Sequence, residues 1–232
     1  MQAALSLLIA HKAWLVLTGA GVSAESGVPT YRNSEGILQR KQPVTHQDFM
    51  AQHSARQRFW SRNMVGWRFM IDAQPNSAHQ ALARLEQLGV VSCLVTQNVD
   101  GLHQRAGSQT VIDLHGRVDT VSCMTCGLKE PRAAIQIWLE AHNPEYSLLV
   151  GAIAPDGDAD LDHLDYTSMQ VPNCQNCGGT LKPDAVFYGD SVPKDRVRMA
   201  EQQLQQAEGL VVAGSSLMTY SGYRFCLWAQ QQ

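Results

Sequence analysis

The sequence predicts an α/β fold: a Rossmann-like parallel sheet with helices on both faces, plus a small domain made of a helical insert and a four-cysteine zinc ribbon. Three observations carry this. Continuous apolar runs at residues 13–17, 90–96 and 209–213 alternate with helix-period segments, as strands buried on both faces do. Residues 33–72 hold no strand-like run and interrupt the alternation. Two Cys-x-x-Cys pairs, Cys123 with Cys126 and Cys174 with Cys177, mark a second interruption. Each pair has glycine just after its second cysteine (Gly127; Gly178 and Gly179), the knuckle that aims two thiolates at one tetrahedral metal. Four thiolates close a zinc site and leave no open position for catalysis.

The elements follow in order. Gln2 to Ala10 reads as a helix feeding the first strand, AWLVL. TGAGVSAES is a glycine turn opening into a helix. The run from His46 to Asp72 reads as helical, with Phe49, Phe59, Trp60, Trp67 and Phe69 as core. Ser77 is the expected N-cap of the next helix, with Gln80 completing a capping box. Ala78, Leu82, Leu85 and Leu88 form its apolar stripe and Gly89 its stop. VVSCLVT is a buried strand with Cys93 as a core thiol, followed by a short helix (Leu102 to Ala106) and the strand TVIDLHG. Between the cysteine pairs lie a helix (Ala133 to Leu139) and the acidic stretch APDGDADLDHLD. Asp156, Asp158 and Asp160 have calcium-loop spacing. Leu161 and Thr167 stand where an EF-hand needs Gly and Glu, so this reads as a solvated loop. A Gln-rich helix (Lys194 to Ala207) and the strand GLVVAGSSL complete the series.

The boundaries expected from this order are 1–32, 73–118 and 184–232 for a discontinuous sheet domain, and 33–72 with 119–183 for the small domain. A chain of 232 residues, 44% hydrophobic and 17% charged, suits such a packed protein. A net charge of −3 gives no electrostatic case for nucleic acid, and no apolar run of about 18 residues predicts a membrane span. The first residues lack the basic start of a signal peptide. With four of six cysteines committed to metal, no disulfide framework is required. That fits a reducing compartment: the cytoplasm, or the mitochondrial matrix behind a removed transit peptide.

Several segments carry chemistry. Gly19, Gly21 and Ala24 fit a loose G-x-G-x-x-A, which serves equally as a phosphate cradle or a plain tight turn. A dehydrogenase would place its second strand and acidic ribose ligand about 20 residues later. Here the next strand begins near Val90, so hydride transfer is not indicated. SGVPTYR, with Tyr31 and Arg32, fits a loop over a nucleotide or an ordinary loop. Gln97, Asn98 and Asp100 end a buried strand, suiting ribose hydroxyls and a carboxamide, or an Asx turn. His115 ends the next strand before Gly116; a structural histidine and a general base working near neutral pH both fit.

Taken together, GAGVSAESGVPTYR, TQNVDGLH, LHG, CMTC and CQNC, LKPDAVFYGD and VVAGSSL resemble the sirtuins, NAD-dependent protein deacylases, in family order over nearly the whole chain. RQRFWSRNMVGW, QPNSAHQAL and YSGYRF are similar to the class II branch, which has a mitochondrial member. The resemblance implies NAD as co-substrate, one structural zinc ion and an acyl-lysine protein as partner. On it, Gly19, Ala20, Gly21 and Ser23 hold the NAD phosphates, and Tyr31 and Arg32 lie on the cofactor loop. Gln97 and Asn98 meet the nicotinamide-side ribose, Asp100 the carboxamide, and Gly214, Ser215 and Ser216 the adenosine half. His115 is the general base, and Val186, Phe187, Tyr188 and Gly189 pair with the peptide backbone as an added strand.

Two departures from the family stand out. Thr30 replaces the usual Asp, and NSEGILQRK has no tyrosine but offers Arg40 or Lys41 to an acidic acyl group, which leaves the acyl preference open. The chain also stops at LWAQQQ, where sirtuins continue through further strands, so an unfinished sheet edge is expected. This motivates an alternative reading, an inactive zinc-stabilised interaction fragment. Protein mono-ADP-ribosyl transfer would use the same cofactor site.

Overall fold

A computed structural model describes residues 12–30, 43–149, 151, 158–159, 161 and 164–231. The expected helix at Gln2 to Ala10 lies outside these, as do Tyr31, Arg32, Arg40, Lys41, Asp156 and Asp160. In chain order the elements are β1 (Trp14–Thr18), a 3-10 helix (Ala20–Ser26), α1 (His46–Ala51), α2 (His53–Asp72), α3 (Ser77–Gln87), β2 (Val91–Thr96), α4 (Leu102–Arg105) and β3 (Val111–Asp113). Then come β4 (Gly116–Cys123), β5 (Lys129–Pro131), α5 (Arg132–His142), a second 3-10 helix (Pro144–Tyr146), β6 (Leu181–Ala185), α6 (Lys194–Gln206), β7 (Gly209–Ala213) and α7 (Tyr220–Ala229). Their contacts form two compact units. Unit 1 comprises Met1–Gly27, Gln74–His115 and Val192–Gln232; unit 2 comprises Val28–Ala73 and Gly116–Ser191.

Unit 1 is built on a parallel sheet of order β3-β2-β1-β7. Every residue of β1 is buried, so its alternating side chains serve two opposite faces. Leu15 and Leu17 pack with Cys93 and Val95 of β2, Ala200 and Leu204 of α6, and Phe225 of α7. Val16 packs with Val91 and Leu94 and with Leu82 and Leu85 of α3. Helices thus cover both faces. One extra residue, Ser92, enters β2, because Trp14 pairs with Val91 whereas Leu15 pairs with Cys93. The bulge puts Val91 on the same face as Leu94. Cys93 is fully buried, and burial first, then Glu86, pushes its thiol up to about 12, a packing group rather than a nucleophile.

Two details of unit 1 differ from expectation. The N-cap of α3 is Asn76, not Ser77. Asn76 Oδ1 accepts from the Ala78 and His79 amides at 2.9 and 3.4 Å, while its own N–H donates to His79 Nδ1 at 3.3 Å. Histidine takes the place of Glu or Gln in the reciprocal box. The frame moves by one residue, so His79 and Ala83 are buried while Leu88 is 56% exposed. Helix α7 stands where the sequence predicts only a tail after the last strand.

Unit 2 contains the antiparallel sheet β5-β4-β6 and a core of Phe49, Phe59, Trp60, Met64, Ile135, Leu139 and Leu181. The helical run from His46 is two helices with Gln52 between them, α1 being capped by Thr45, whose Oγ1 accepts from the Asp48 amide at 3.1 Å. Phe69 is 38% exposed, because it lies about 200° round the helix from the buried Trp67. Arg132 is fully buried, its guanidinium 5.4 and 5.0 Å from the Trp60 and Trp67 rings and bonded to Asn63 Oδ1 at 3.0 and 3.1 Å. Asp158 is buried rather than solvated, 3.1 Å from Arg62 Nε, and Leu161 is buried with Val65. A carboxylate stays charged inside only when paired. Residues 184–191, expected with the sheet domain, belong to unit 2, since β6 pairs with β4 and Phe187 packs on Phe49 and Phe59.

Candidate functional site

The four cysteines of unit 2 bring their Sγ atoms within 4.8 Å of one another. Cys123 and Cys177 are 3.5 Å apart, Cys126 and Cys174 3.7 Å. Four sulfurs at about 2.3 Å from one tetrahedral zinc stand about 3.8 Å apart, so the cluster fits a structural zinc ion. Each knuckle is closed in the same way. The Gly127 and Gly178 amides donate to the Cys123 and Cys174 carbonyls at 3.0 and 2.8 Å, and both glycines are left-handed, with φ of 74° and 71°. The amides of Cys126 and Thr125 point at Cys123 Sγ (3.5 and 3.4 Å) and bring its thiol down to about 6, toward the metal-binding thiolate.

The second cluster lies at the carboxyl end of the parallel sheet in unit 1. Ala213, Thr18, Thr96 and Asp113 pair in one row, so their four strands end level. The chain runs β1 to β2 to β3 on one side and returns as β7 on the other side of β1. The order therefore reverses between β1 and β7, where open α/β sheets bind ligands. Gly21 donates to the Gly214 carbonyl there at 2.8 Å. A Cβ on Gly19 or Gly21 would lie 2.9 or 2.8 Å from Gly214, so both positions need glycine for space.

Behind this turn the polar side chains form one chain of hydrogen bonds. Asn98 Nδ2 donates to the Gly19 carbonyl at 3.1 Å and to Ser23 Oγ at 2.9 Å. Ser23 Oγ donates to Asp100 Oδ2 at 2.7 Å, and the Leu102 amide donates to Asp100 Oδ1 at 2.9 Å. His79 is fully buried, and burial lowers its pKa while Asp100 raises it. Its Nδ1 accepts from Asn76, so Nε2 carries the proton and faces Ser23 Oγ at 3.4 Å. His103 Nε2 meets Thr18 Oγ1 at 2.9 Å, and burial and then His79 push its pKa down to about 4. Asn76 also donates from Nδ2 to the Val22 carbonyl at 2.8 Å and to Ser26 Oγ at 3.1 Å. Sequence reasoning missed Asn76 and His79 as parts of this network. The available signal was the Asn-Ser pair, taken one residue too late.

His115 follows β3 in a turn rather than within the strand. Its Nδ1 is 3.0 Å from the Gln97 carbonyl, which only accepts, so the proton sits on Nδ1 and Nε2, 2.9 Å from Ser221 Oγ, is the acceptor. Burial pushes its pKa down to about 4, against the Gln97 bond that raises it; Arg224 and Arg196 lower it further. The ring is therefore neutral at pH 7 and set as a base at Nε2. Gln97 ties this edge together, its Oε1 accepting from Ser215 Oγ at 2.6 Å and its Nε2 donating to Thr219 Oγ1 at 3.0 Å. Of the expected residues, Gly19, Gly21, Ser23, Gln97, Asn98, Asp100, His115, Gly214 and Ser215 join through these contacts. Ala20 is half-buried in the turn, and Ser216 is exposed beside Ser215.

Val186 to Gly189 do not form a strand. β6 ends at Ala185, and Tyr188 and Gly189 are a turn, with Gly189 at φ 78°. The carbonyls of Phe187, Tyr188 and Gly189 accept from the Asp190 amide (3.0 Å), the His46 amide (2.9 Å) and Gln47 Nε2 (2.8 Å). The first turn of α1 has thus taken the Tyr188 and Gly189 carbonyls, and the local turn that of Phe187.

Comparison with known proteins gives this arrangement a family. The model of the Sir2 family matches residues 19–221. The NAD-dependent protein deacetylase 2 of Bradyrhizobium diazoefficiens is 53% identical over 222 residues, 96% of this chain and 81% of that protein. The mitochondrial NAD-dependent protein lipoamidase sirtuin-4 of Bos taurus is 47% identical over 224 residues, 95% of this chain and 71% of that one. A solved structure on the basis of sirtuin substrate affinity superposes with a TM-score of 0.77 at 30% identity, covering 100% of this chain and 82% of the other. The chain belongs to the Sir2 family.

Proposed function

We propose that this protein is an NAD-dependent protein-lysine deacylase, which moves the acyl group from lysine to ADP-ribose and frees nicotinamide. The observation that carries it is His115, neutral and held by the Gln97 carbonyl so that Nε2 is the unprotonated ring nitrogen. Gln97 links it to Ser215, which packs on Gly19 in the glycine turn at the switch point of a parallel sheet. Relatives bearing the names of NAD-dependent deacetylase and lipoamidase support the same reading.

The residues fit NAD by their chemistry. A carboxylate, carboxamides, hydroxyls and backbone amides converge where two glycines leave no room for side chains. When bound, NAD supplies the ribose carbon that accepts the acyl oxygen. The chain's own groups do the rest. Gly19, Ala20, Gly21 and Ser23 receive the phosphates, and we assign Tyr31 and Arg32, later in the same sequence motif, to the cofactor as well. Gln97 and Asn98 orient the nicotinamide-side ribose, Asp100 the carboxamide, and Gly214, Ser215 and Ser216 the adenosine half. His115 Nε2 takes the proton of a ribose hydroxyl. The acyl-lysine peptide runs along Val186 and Phe187, with the Tyr188–Gly189 turn shaping its end. We assign NAD binding to the unit built on the parallel sheet (1–27, 74–115 and 192–232) and a structural zinc to the other unit (28–73 and 116–191). Four thiolate ligands favour a reducing compartment, and we assign the protein to the cytoplasm.

The test is incubation of zinc-loaded protein with NAD and acetyl-, lipoyl- and other acyl-lysine peptides, read by mass spectrometry. Nicotinamide and O-acyl-ADP-ribose are expected, and neither with His115→Ala. No release of nicotinamide with any acyl peptide would overturn the proposal. ADP-ribose attached to protein, without an acylated product, would replace it by mono-ADP-ribosyl transfer.

A further inference from the structure

Both ring nitrogens of His115 are engaged. Nδ1 donates to the Gln97 carbonyl, which leaves Nε2 as an acceptor, and 2.9 Å from Nε2 lies the hydroxyl of Ser221. Ser221 Oγ has one proton and two acceptors within reach, His115 Nε2 at 2.9 Å and Thr219 Oγ1 at 3.3 Å; over the shorter contact it donates to the lone pair that the base needs.

The contact is built by its surroundings. Ser221 lies in the first turn of α7. Thr219, the N-cap of that helix, receives Gln97 Nε2 at 3.0 Å. Gly222, directly after Ser221, sits so close that a Cβ there would fall 2.5 Å from Gln97 Nε2. One residue, Gln97, thus fixes the imidazole through its backbone carbonyl and the start of α7 through its side chain. The absent side chain at Gly222 lets the helix approach, and Ser221 falls on Nε2.

A hydroxyl donating to Nε2 at 2.9 Å is also what a general base requires of its substrate. The geometry points to Ser221 as a positioning residue that stands in for the substrate hydroxyl in the free enzyme: it holds the His115 ring in its working direction and is displaced when the NAD ribose hydroxyl takes its place on Nε2. This rests on the proposed function in giving His115 a ribose hydroxyl to deprotonate. Two hydroxyls cannot both donate to one lone pair, so Ser221 and the ribose compete. The competition weakens apparent NAD binding and leaves the chemical step alone once the exchange is made.

The experiment compares the full chain with Ser221→Ala and Ser221→Thr. Alanine suits a helix interior, and threonine restores the hydroxyl. With the acyl-lysine peptide that turns over, Ser221→Ala lowers KM for NAD about fivefold, the net worth of one hydrogen bond, and leaves kcat within about twofold. Ser221→Thr keeps the wild-type KM. An unchanged or higher KM in Ser221→Ala, or a tenfold loss in kcat, overturns the proposal. The second measurement needs no turnover. In protein carrying 15N-labelled histidine and no NAD, the His115 Nε2 resonance moves on Ser221→Ala and not on Ser221→Thr. Adding NAD then brings wild type and Ser221→Ala to the same position. Identical Nε2 resonances before NAD also overturn the proposal, even if the deacylase reading stands. If wild type shows no turnover, that reading fails while the ligand-free spectra still decide whether Ser221 holds the ring.

Discussion

Glycine does opposite work in the two regions that carry chemistry. In the zinc ribbon, Gly127 and Gly178 sit at positive φ, and among the described residues nothing lies within 4 Å of where a Cβ would be. They are needed for conformation and have space to spare. In the turn after β1, neither Gly19 nor Gly21 has a left-handed backbone, but a Cβ on either would strike Gly214. They are needed for space. A closed metal site is made by local turns that repeat wherever two cysteines lie three apart. The sheet-end site is made by distant segments converging, so its glycines are fixed by what lies opposite.

Removing the metal should give the largest effect. Cys174→Ser leaves three thiolates and loses zinc, and with it metal binding worth on the order of 10 kcal/mol in small modules. The expected outcome is loss of the ordered ribbon, seen as absent zinc by metal analysis and as lost amide dispersion at Cys123 to Cys126. Retained zinc at one equivalent would break the comparison, because the site would then not depend on four local ligands.

His115→Ala should come next, lowering kcat by about 10² to 10⁴ with an unchanged melting temperature. A pH profile sharpens the point. Because burial holds His115 down to about 4, the acid limb of kcat/KM should fall well below the ordinary histidine value of 6.5. The same sign governs stability through His103, also pushed down to about 4. Between pH 6.5 and 4 the unfolded chain binds a proton that the folded one refuses. Stability is therefore complete above that window and falls as pH drops through it, by up to about 1.4 kcal/mol per pH unit for one such group. Urea unfolding at pH 7, 6 and 5 checks this, and the slope should flatten in His103→Asn.

How much of this was legible in the sequence follows the same division. The ribbon could be read from Cys-x-x-Cys-Gly alone, since three residues determine the turn. The sheet was equally plain, because Leu15, Val16 and Leu17 are apolar without alternation and must face two cores. The sheet-end residues were ambiguous one by one and became specific only as an ordered set. Three things were out of reach. α7 carries an aromatic-rich pattern, and its N-cap residue, Thr219, makes no side-chain capping bond. Asp158 looked solvated because its partner Arg62 is nearly a hundred residues earlier. The turn at Tyr188–Gly189 depends on hydrogen bonds from His46 and Gln47, which no local pattern around residue 188 reveals.

The glycine contrast can be tested directly. Gly21→Ala forces its Cβ against backbone, which cannot swing aside, and should cost about 1–3 kcal/mol together with NAD affinity. Gly127→Ala meets open space and pays only for a left-handed backbone, about 1–2 kcal/mol, with NAD affinity intact. Chemical denaturation gives the first pair of numbers and calorimetric titration with NAD the second. Equal losses of NAD affinity would show that the turn after β1 is an ordinary tight turn.

The smallest effect separates two readings of a single cap. Asn76 holds both ends of a connection. Its Oδ1 caps α3 through the Ala78 and His79 amides, and its Nδ2 reaches back to the Val22 carbonyl and Ser26 in the 3-10 helix after the glycine turn. Asn76→Ala should cost about 1 kcal/mol for the cap, with a further loss for the severed tether. Asn76→Asp keeps the cap acceptor and loses only the two donated bonds, so it should fall between alanine and wild type. Ser77→Ala, at the first helical position with its side chain exposed, should change stability by less than about 0.5 kcal/mol. If Ser77→Ala costs as much as Asn76→Ala, the helix starts one residue later than described, and His79 is no longer placed to support Ser23 and, through it, Asp100.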